Sequence, residues 1–312
     1  MAMDLKQLRY LTAVLQHASF SVAATHLHVT QPALTKSLRT LEQSLGVRLM
    51  DRGPGGVRPT VYGEHLAAYA QLILSLATEA QQEIEAMRGG TKGQLKIGSV
   101  PAALRVMVPA AARAFLKDRP EVRLSVIEGL NDTLLTALRR GVLDLVVTVL
   151  PSERHLQEIE FRVLQEEPIA IIAHPDHPLA GAQKVGVEQL ADYGWVVPER
   201  LEPDRRQLER LFSTARLPAP NVVAETTSVT LLPAMLVGTT YLSYLPASSV
   251  GFSNDCIAFD LGFPTWTRTT IAAFRQKGPV RPLLGRFLQE LEAAARTIDP
   301  QTSPGSVLRV LQ

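Results

Sequence analysis

AATHLHVTQPALTKSLRTLEQSLGVRLMDR, residues 23–52, decides how this chain is read. A short apolar helix runs through Val22, Ala23, Ala24 and Leu27, with Ser21 as its expected N-cap after a break at 18–20. His28 and Val29 make a turn. Thr30 then caps a second helix, with Pro32 in its first turn, where a missing N–H costs nothing. Leu34, Leu38, Leu41 and Leu45 recur at helical spacing as its buried stripe, and Gly46 ends it. Two short helices joined by a tight turn, the second opening on polar side chains, are a means of presenting a helix to the major groove of duplex DNA.

Upstream, Leu5, Leu8, Leu11, Thr12 and Leu15 mark an amphipathic helix. Downstream, Gly53, Pro54, Gly55 and Gly56 force a tight turn between two extended pieces, a wing. Helical spacing returns from Tyr62 to Arg88, giving a helix about 40 Å long whose apolar stripe needs a partner. Gly89–Gly90 stops it and forms a hinge.

Beyond residue 93, strands and helices alternate. Strand-like runs stand at 95–100, 122–128, 143–149, 169–173, 194–198, 222–225, 241–245 and 270–274. Helical runs lie at 102–117, 131–140, 204–216, 228–238 and 281–297. That order implies parallel α/β sheets in two lobes. The expected organisation is an all-α winged helix-turn-helix over 1–61, a linker helix and hinge over 62–90, an α/β sensor over 91–300 and a tail over 301–312. Within the sensor, lobe I takes 91–165 and 268–300, and lobe II takes 166–267.

Net charge is only +2 over 312 residues. Residues 1–60 hold seven Lys/Arg against three Asp/Glu, net +4, leaving −2 for the remainder. A basic head on a slightly acidic body is the asymmetry of a nucleic-acid-binding module tied to a different one. The single cysteine, Cys256, cannot form an intramolecular disulfide, and neither a targeting segment nor a membrane span is legible, so a cytoplasmic setting is expected. Aromatics at 5% and charged residues at 20% speak against disorder and against a fibrous chain.

Gln31 can pair bidentately with adenine, and Thr30 and Thr35 can meet bases or phosphate. Lys36 and Arg39 follow one to two turns on, and Arg52 and Arg58 flank the glycine turn. In the sensor half, ligands of open α/β sheets bind beyond the carboxyl ends of strands, close to helix N-termini. That rule selects Ser99 and Val100, Thr148, Pro198, Arg205, Thr227 and Ser228 as cleft candidates, suited to a carboxylate or a polyhydroxy ligand. Glu128 reads as solvated. His174 and His177 lack partners at metal-ligand spacing, Gly53–Gly56 is followed by no Gly-Lys-Ser/Thr, and Cys256 has no nucleophile signature. No metal, cofactor or enzymatic activity is therefore expected.

The quoted stretch resembles the N-terminal signature of the LysR-type transcriptional regulators. The likeness continues through Thr60 and Gly63, GQLKIGSV after the hinge, RGVLDLVV (140–147), HPDHPLA (174–180) and YLSYLP (241–246). Met50 and Pro59 stand where that family usually has Phe and Leu. Gly55–Gly56 replace a further basic residue, and glycines usual around Thr239–Thr240 are missing. The resemblance implies a winged helix-turn-helix, a dimerising linker helix and a two-lobed sensor like the type 2 periplasmic-binding-protein fold. It carries DNA contact onto Thr30, Gln31, Pro32, Ala33, Thr35, Lys36 and Arg39, with Arg52 and Arg58 on the wing, and a dimer seam onto Leu66, Ile73, Leu76, Ala80 and Ile84. Implied partners are double-stranded promoter DNA with a dyad, a small-molecule effector (organic acid, aromatic acid or sugar), further copies of the chain up to a dimer of dimers, and RNA polymerase. The rival reading is a solute-binding or substrate-modifying α/β protein that its N-terminal helices merely dimerise.

Overall fold

The computed structural model describes residues 3–53, 56–87, 93–151, 159–199, 202–228, 230–250, 255–275 and 281–297. Its backbone divides into two compact units at Gly93/Gln94, with 136–143 grouped with the first. The expected division fell at 90/91, and the regrouping of 136–143 has no counterpart in the sequence reading. The Gly89–Gly90 hinge and the 301–312 tail lie outside the described residues.

In the first unit, helix α1 (Leu5–His17) starts where the Asp4 carboxylate accepts the Gln7 N–H at 2.7 Å and the Gln7 side chain accepts the Asp4 N–H at 3.1 Å. Ala18 turns the chain through the left-handed region at φ 49°. Helix α2 (Phe20–His26) therefore restarts at once, and its N-cap is Ser19, whose hydroxyl accepts the Val22 N–H, in place of the expected Ser21. Helix α3 (Gln31–Leu45) ends on Gly46. Thr30 stands at its N-cap position, but the Thr30 side chain makes no capping bond. Strands β1 (Met50–Gly53) and β2 (Gly56–Pro59) pair antiparallel as the wing, and helix α4 (Val61–Met87) follows. Leu11, Val14, Phe20, Ala23, Leu34, Leu38, Leu41, Leu49 and Val57 form one core. Leu5 and Leu45, expected in buried stripes, are 47% and 44% exposed.

Two glycines let this unit close. A Cβ on Gly56 (φ +97°) would stand 2.7 Å from the Ala18 carbonyl oxygen, the atom that accepts the Val57 N–H. A Cβ on Gly63 would stand 1.9 Å from the Leu49 carbonyl oxygen. That same carbonyl accepts the Thr60 N–H, while the Thr60 hydroxyl donates to Arg48 O and accepts the Gly63 N–H. The start of α4 is thus pinned to the entry of the wing.

Beyond the first ninety-odd residues follow β3 (Gly93–Ser99), α5 (Pro101–Arg105), α6 (Met107–Asp118), β4 (Val122–Glu128), α7 (Asn131–Arg139), β5 (Leu145–Val149), β6 (Ile159–Ala173), α8 (Val187–Leu190), β7 (Gly194–Val197), α9 (Pro203–Thr214), β8 (Asn221–Glu225), α10 (Leu231–Ala234), β9 (Ser243–Pro246), α11 (Ala247–Val250), β10 (Ile257–Ala258), β11 (Thr267–Arg275) and α12 (Pro282–Thr297), all in the second unit except Gly93 and the part of α7 from Thr136 on. The helix expected over 102–117 is broken at Val106, and the one expected over 228–238 shrinks to α10.

The main sheet has the order β10-β6-β11-β5-β3-β4, with β9 also on β6. Strand β3 runs parallel to β5, while β11 runs antiparallel to both β5 and β6. Strand β6 pairs with β11 over Ile159–Pro168 and then with β9 and β10 over Ile169–Ala173, so one strand serves both lobes. Strands β7 and β8 form a separate parallel pair beside a core built on Trp195 and Phe212, whose rings meet edge to face at 5.8 Å. Helix α12 packs on α6 through Phe115 and Phe287, which puts the last helix with lobe I. Asp144 accepts the Lys96 N–H at 2.7 Å and pairs with Arg281 at 2.6 Å, tying β3 to the start of α12. No described helix is long and apolar enough to cross a membrane.

His177 has a structural task. Its Nδ1 accepts the Leu179 N–H at 3.1 Å, its Nε2 donates to Thr240 O at 3.2 Å, and its ring lies against Tyr193 and Phe259. Burial lowers its pKa below the ordinary 6.5, and the bond to Thr240 opposes this in part.

Two expectations follow. Gly63→Ala must push α4 off the wing and should lower stability by roughly 1–3 kcal/mol in denaturant titration. Because the folded pKa of His177 is depressed, its contribution to stability is complete above pH 6.5 and is lost as pH falls through the lowered value. A plot of melting temperature against pH should therefore fall on that acid side, and His177→Gln should flatten the fall.

Candidate functional site

In the first unit, Thr30, Gln31, Pro32, Ala33, Lys36 and Arg39 are all exposed, and Thr35 is half-buried. They occupy the side of α3 away from Leu34, Leu38 and Leu41, because a helix that buries one stripe must offer the opposite one to solvent. With no side-chain cap, the first N–H groups of α3 remain open at the positive end of its dipole. The Ser21 hydroxyl donates to Gln31 Oε1 at 3.0 Å, which fixes the Gln31 carboxamide with its NH2 outward. On the wing, Arg58 is exposed opposite Asp51. The Arg52 guanidinium lies 4.2 Å from the centroid of the buried Phe20 ring, a cation–π contact that anchors the wing to α2.

Helix α4 carries its expected seam residues in different settings. Leu66 packs partly on the core of its own unit, Ile73 and Leu76 are half-buried, Ala80 is exposed and Ile84 is 59% exposed. Val61, Tyr62 and Tyr69 are exposed on the same helix and, with Leu45 and Leu66, border an open apolar groove.

In the second unit, the carboxyl ends of β3, β4, β7 and β8 converge on a cleft with a cavity volume of about 80 Å³. Val100, Pro101 and Arg105 line it from one side, with Gly129 and Leu130. Pro198, Thr226, Thr227 and Ser228 line it from the other, and Tyr244 and Arg268 reach it from β9 and β11. Asp204 faces it from α9, its two oxygens taking Trp266 Nε1–H at 3.0 Å and Arg268 Nη1 at 3.4 Å. Glu202, at the N-cap of α9, accepts the backbone N–H of Asn131 at the start of α7. Burial raises the Glu202 pKa, while Arg268 and the Asn131 N–H pull it back down. Burial also pushes the Tyr244 phenol well above its usual value, reinforced by Asp204.

Residues 88–296 match the family described as the LysR substrate binding domain, and residues 5–64 match the bacterial regulatory helix-turn-helix proteins of the lysR family. The chain belongs to the LysR family of DNA-binding transcriptional regulators. It is 29% identical over 235 residues to the HTH-type transcriptional regulator GbpR of Azospirillum brasilense, covering 75% of this chain and 69% of that protein. It is 30% identical over 213 residues to the RuBisCO operon transcriptional regulator of Allochromatium vinosum, covering 68% and 70%. Among solved structures it resembles a full-length OxyR variant from Pseudomonas aeruginosa (TM-score 0.71, 26% identity, 95% of each chain). It also shares the fold of full-length CbnR complexed with its target DNA (TM-score 0.67, 23% identity, 94% of this chain and 100% of that one).

Four of the seven expected cleft residues line the cleft of this LysR-family regulator: Val100, Pro198, Thr227 and Ser228. Three do not. Ser99 is fully buried and donates to Val100 O; alternation along β3 sends Ser99 and Val100 to opposite faces. Thr148 is fully buried and bonds to the Asn131 side chain. Arg205 turns away from the cleft toward Glu209 (3.2 Å) and Glu225 (3.8 Å), leaving the preceding Asp204 to face it. Arg105, Glu202, Asp204, Tyr244 and Arg268 are the ionisable cleft residues that sequence reasoning missed. The acidic pair flanking Pro203 at a helix start was a usable signal; Arg268, one of two arginines in the strand 267–275, was not.

Asp204 and Arg268 are each about one-tenth exposed at the side chain, so removing one partner strands the other. Asp204→Ala should cost about 3–5 kcal/mol of stability by denaturant titration, with much of the loss recovered when Arg268→Met is added.

Proposed function

We propose that this regulator reads an operator through α3 and is switched by a small molecule held in the cleft of its α/β unit. The observation that carries the reading is the open face of α3. There Gln31, pre-positioned by Ser21, stands among Thr30, Pro32, Ala33 and Thr35, with Lys36 and Arg39 one to two turns on. In this arrangement Gln31 reads a base edge and the two cations hold phosphates. Arg58 lies along the DNA backbone. Arg52 serves the wing first through its stack on Phe20 and presents its remaining N–H groups to phosphate.

One such head contacts few base pairs, so two copies paired through α4 would double the contacts and require a two-fold operator. The exposed Tyr69, Ala80 and Ile84 and the half-buried Ile73 and Leu76 support that seam. Leu66 contributes at its edge, where it leaves its own core. The ligand acts by binding one arrangement of the copies better than another. Chemistry on the ligand has no part in this reading, and the chain works in the cytoplasm beside its promoter and RNA polymerase.

The test is a mobility shift with DNA from upstream of the protein's own gene. Wild-type binding should weaken steeply with salt. Gln31→Ala, and to a smaller degree Ser21→Ala, should relax sequence preference. Lys36→Ala should weaken specific and random DNA alike and lower the salt slope by about 1. Equal losses on both DNAs for Gln31→Ala would sink the base-reading role.

A further inference from the structure

Two buried donors on the cleft wall lack acceptors. Tyr244 is 3% exposed and its hydroxyl has no hydrogen-bond partner, nor has Nε of Arg268. Both residues border the cleft. A buried donor left unanswered is costly, so these groups mark where a ligand supplies oxygen. The cleft also carries acceptors. Each oxygen of Asp204 holds one donor and has room for another, and Glu202 spends one bond on the Asn131 N–H.

We infer that the cleft is shaped for a neutral polyhydroxy compound of monosaccharide size, and that an acid is the wrong ligand for it. This rests on the reading of the cleft as the effector site. A hydroxyl accepts from Tyr244 and Arg268 while donating to Asp204 and Glu202, and a polyhydroxy compound carries several of them on one small frame. A carboxylate answers the two donors but meets two carboxylates of its own sign. The ionisable side chains of the cleft offer it no surplus of positive charge, since Arg105 and Arg268 stand against Glu202 and Asp204. Arg268 has spent Nη1 on Asp204 while its Nε stays unanswered, so a carboxylate docked there would sit beside the Asp204 carboxylate. The carboxylate of an amino acid meets the same neighbour. The apolar part of the wall, with Val100, Leu130, Pro198 and Leu232, suits the C–H faces of a sugar ring. Burial keeps the Tyr244 phenol protonated and therefore a donor throughout the physiological range.

The full-length protein is screened by thermal shift and calorimetry at about 5 mM ligand, low enough to avoid osmolyte effects. The probes are D-galactose, D-glucose, D-ribose, myo-inositol and mannitol, against benzoate, succinate, citrate, glycine and L-serine. At least one neutral probe should raise the melting temperature. Its Kd should stay within about twofold between roughly 0.05 and 0.5 M NaCl. Tyr244→Phe, which keeps the ring, should weaken it about tenfold or more. Silence of all neutral probes, or binding only by acids or amino acids, overturns the inference. If an acid binds and Tyr244→Phe abolishes its effect, the cleft reading survives and only the ligand class falls. If a ligand of any class binds unchanged in both Tyr244→Phe and the cleft-filling Thr227→Trp, the cleft reading falls as well.

Discussion

Strand β6 must satisfy two sets of backbone partners along one uninterrupted run, and the ligand-binding half of the molecule follows from that constraint. Its first ten residues pair with β11 and its last five with β9 and β10. The handover falls at Pro168, which has no N–H to give, and Ile169, whose N–H goes to Trp266 O and whose carbonyl accepts the Thr265 hydroxyl. Arg268 sits opposite Glu167 and Tyr244 opposite Ile171, on either side of that point. The floor of the cleft is therefore made of side chains that stand where the sheet changes partners, a place where side chains can approach from both lobes.

Around that floor the chain has put charge where a core would ordinarily put hydrocarbon. Asp204 is held between Trp266 and Arg268, and Arg205 on the next residue is held by Glu209 and Glu225. Such pairs offset their own desolvation at best, so they add little to stability. What they supply is position. A carboxylate locked by an indole N–H and a guanidinium keeps its remaining lone pairs aimed in one direction.

Much of this was legible before any coordinates. The leucine spacing of α3, Gly46 and the glycines of the wing placed the reading head, because each is a local signal of the kind that survives packing. All eight strand-like runs beyond residue 93 became strands. The failures have physical causes. Residues 159–168 extend β6; Ile159, Phe161 and Val163 alternate with Glu160 and Arg162, a strand signal the sequence reading passed over, and Phe161 and Val163 are themselves exposed. Leu45 fits the helical stripe of α3 but lies past the point where its unit has anything to cover it. Ser99 and Arg205 were chosen for chemistry at strand and helix ends. One residue along, Val100 (expected together with Ser99) and Asp204 present the other face of the element, and a phase of one residue is weakly marked in sequence. Tyr244 and Arg268 come from strands distant in sequence, and only the topology of β6 brings them together.

Glu42 gives the reading head a further property. Its carboxylate, on the second half of α3, accepts the N–H groups of Leu49 (2.8 Å) and Met50 (3.3 Å) at the root of the wing, while the Ala18 carbonyl holds the wing's returning strand. The helix and the hairpin proposed to enter adjoining grooves are thereby fastened to each other at a set separation. On that reading such a head would work as a caliper, more tolerant of the exchange of one base pair for another than of the insertion of an extra one, and half-sites of its operators would drift in letter while keeping their length.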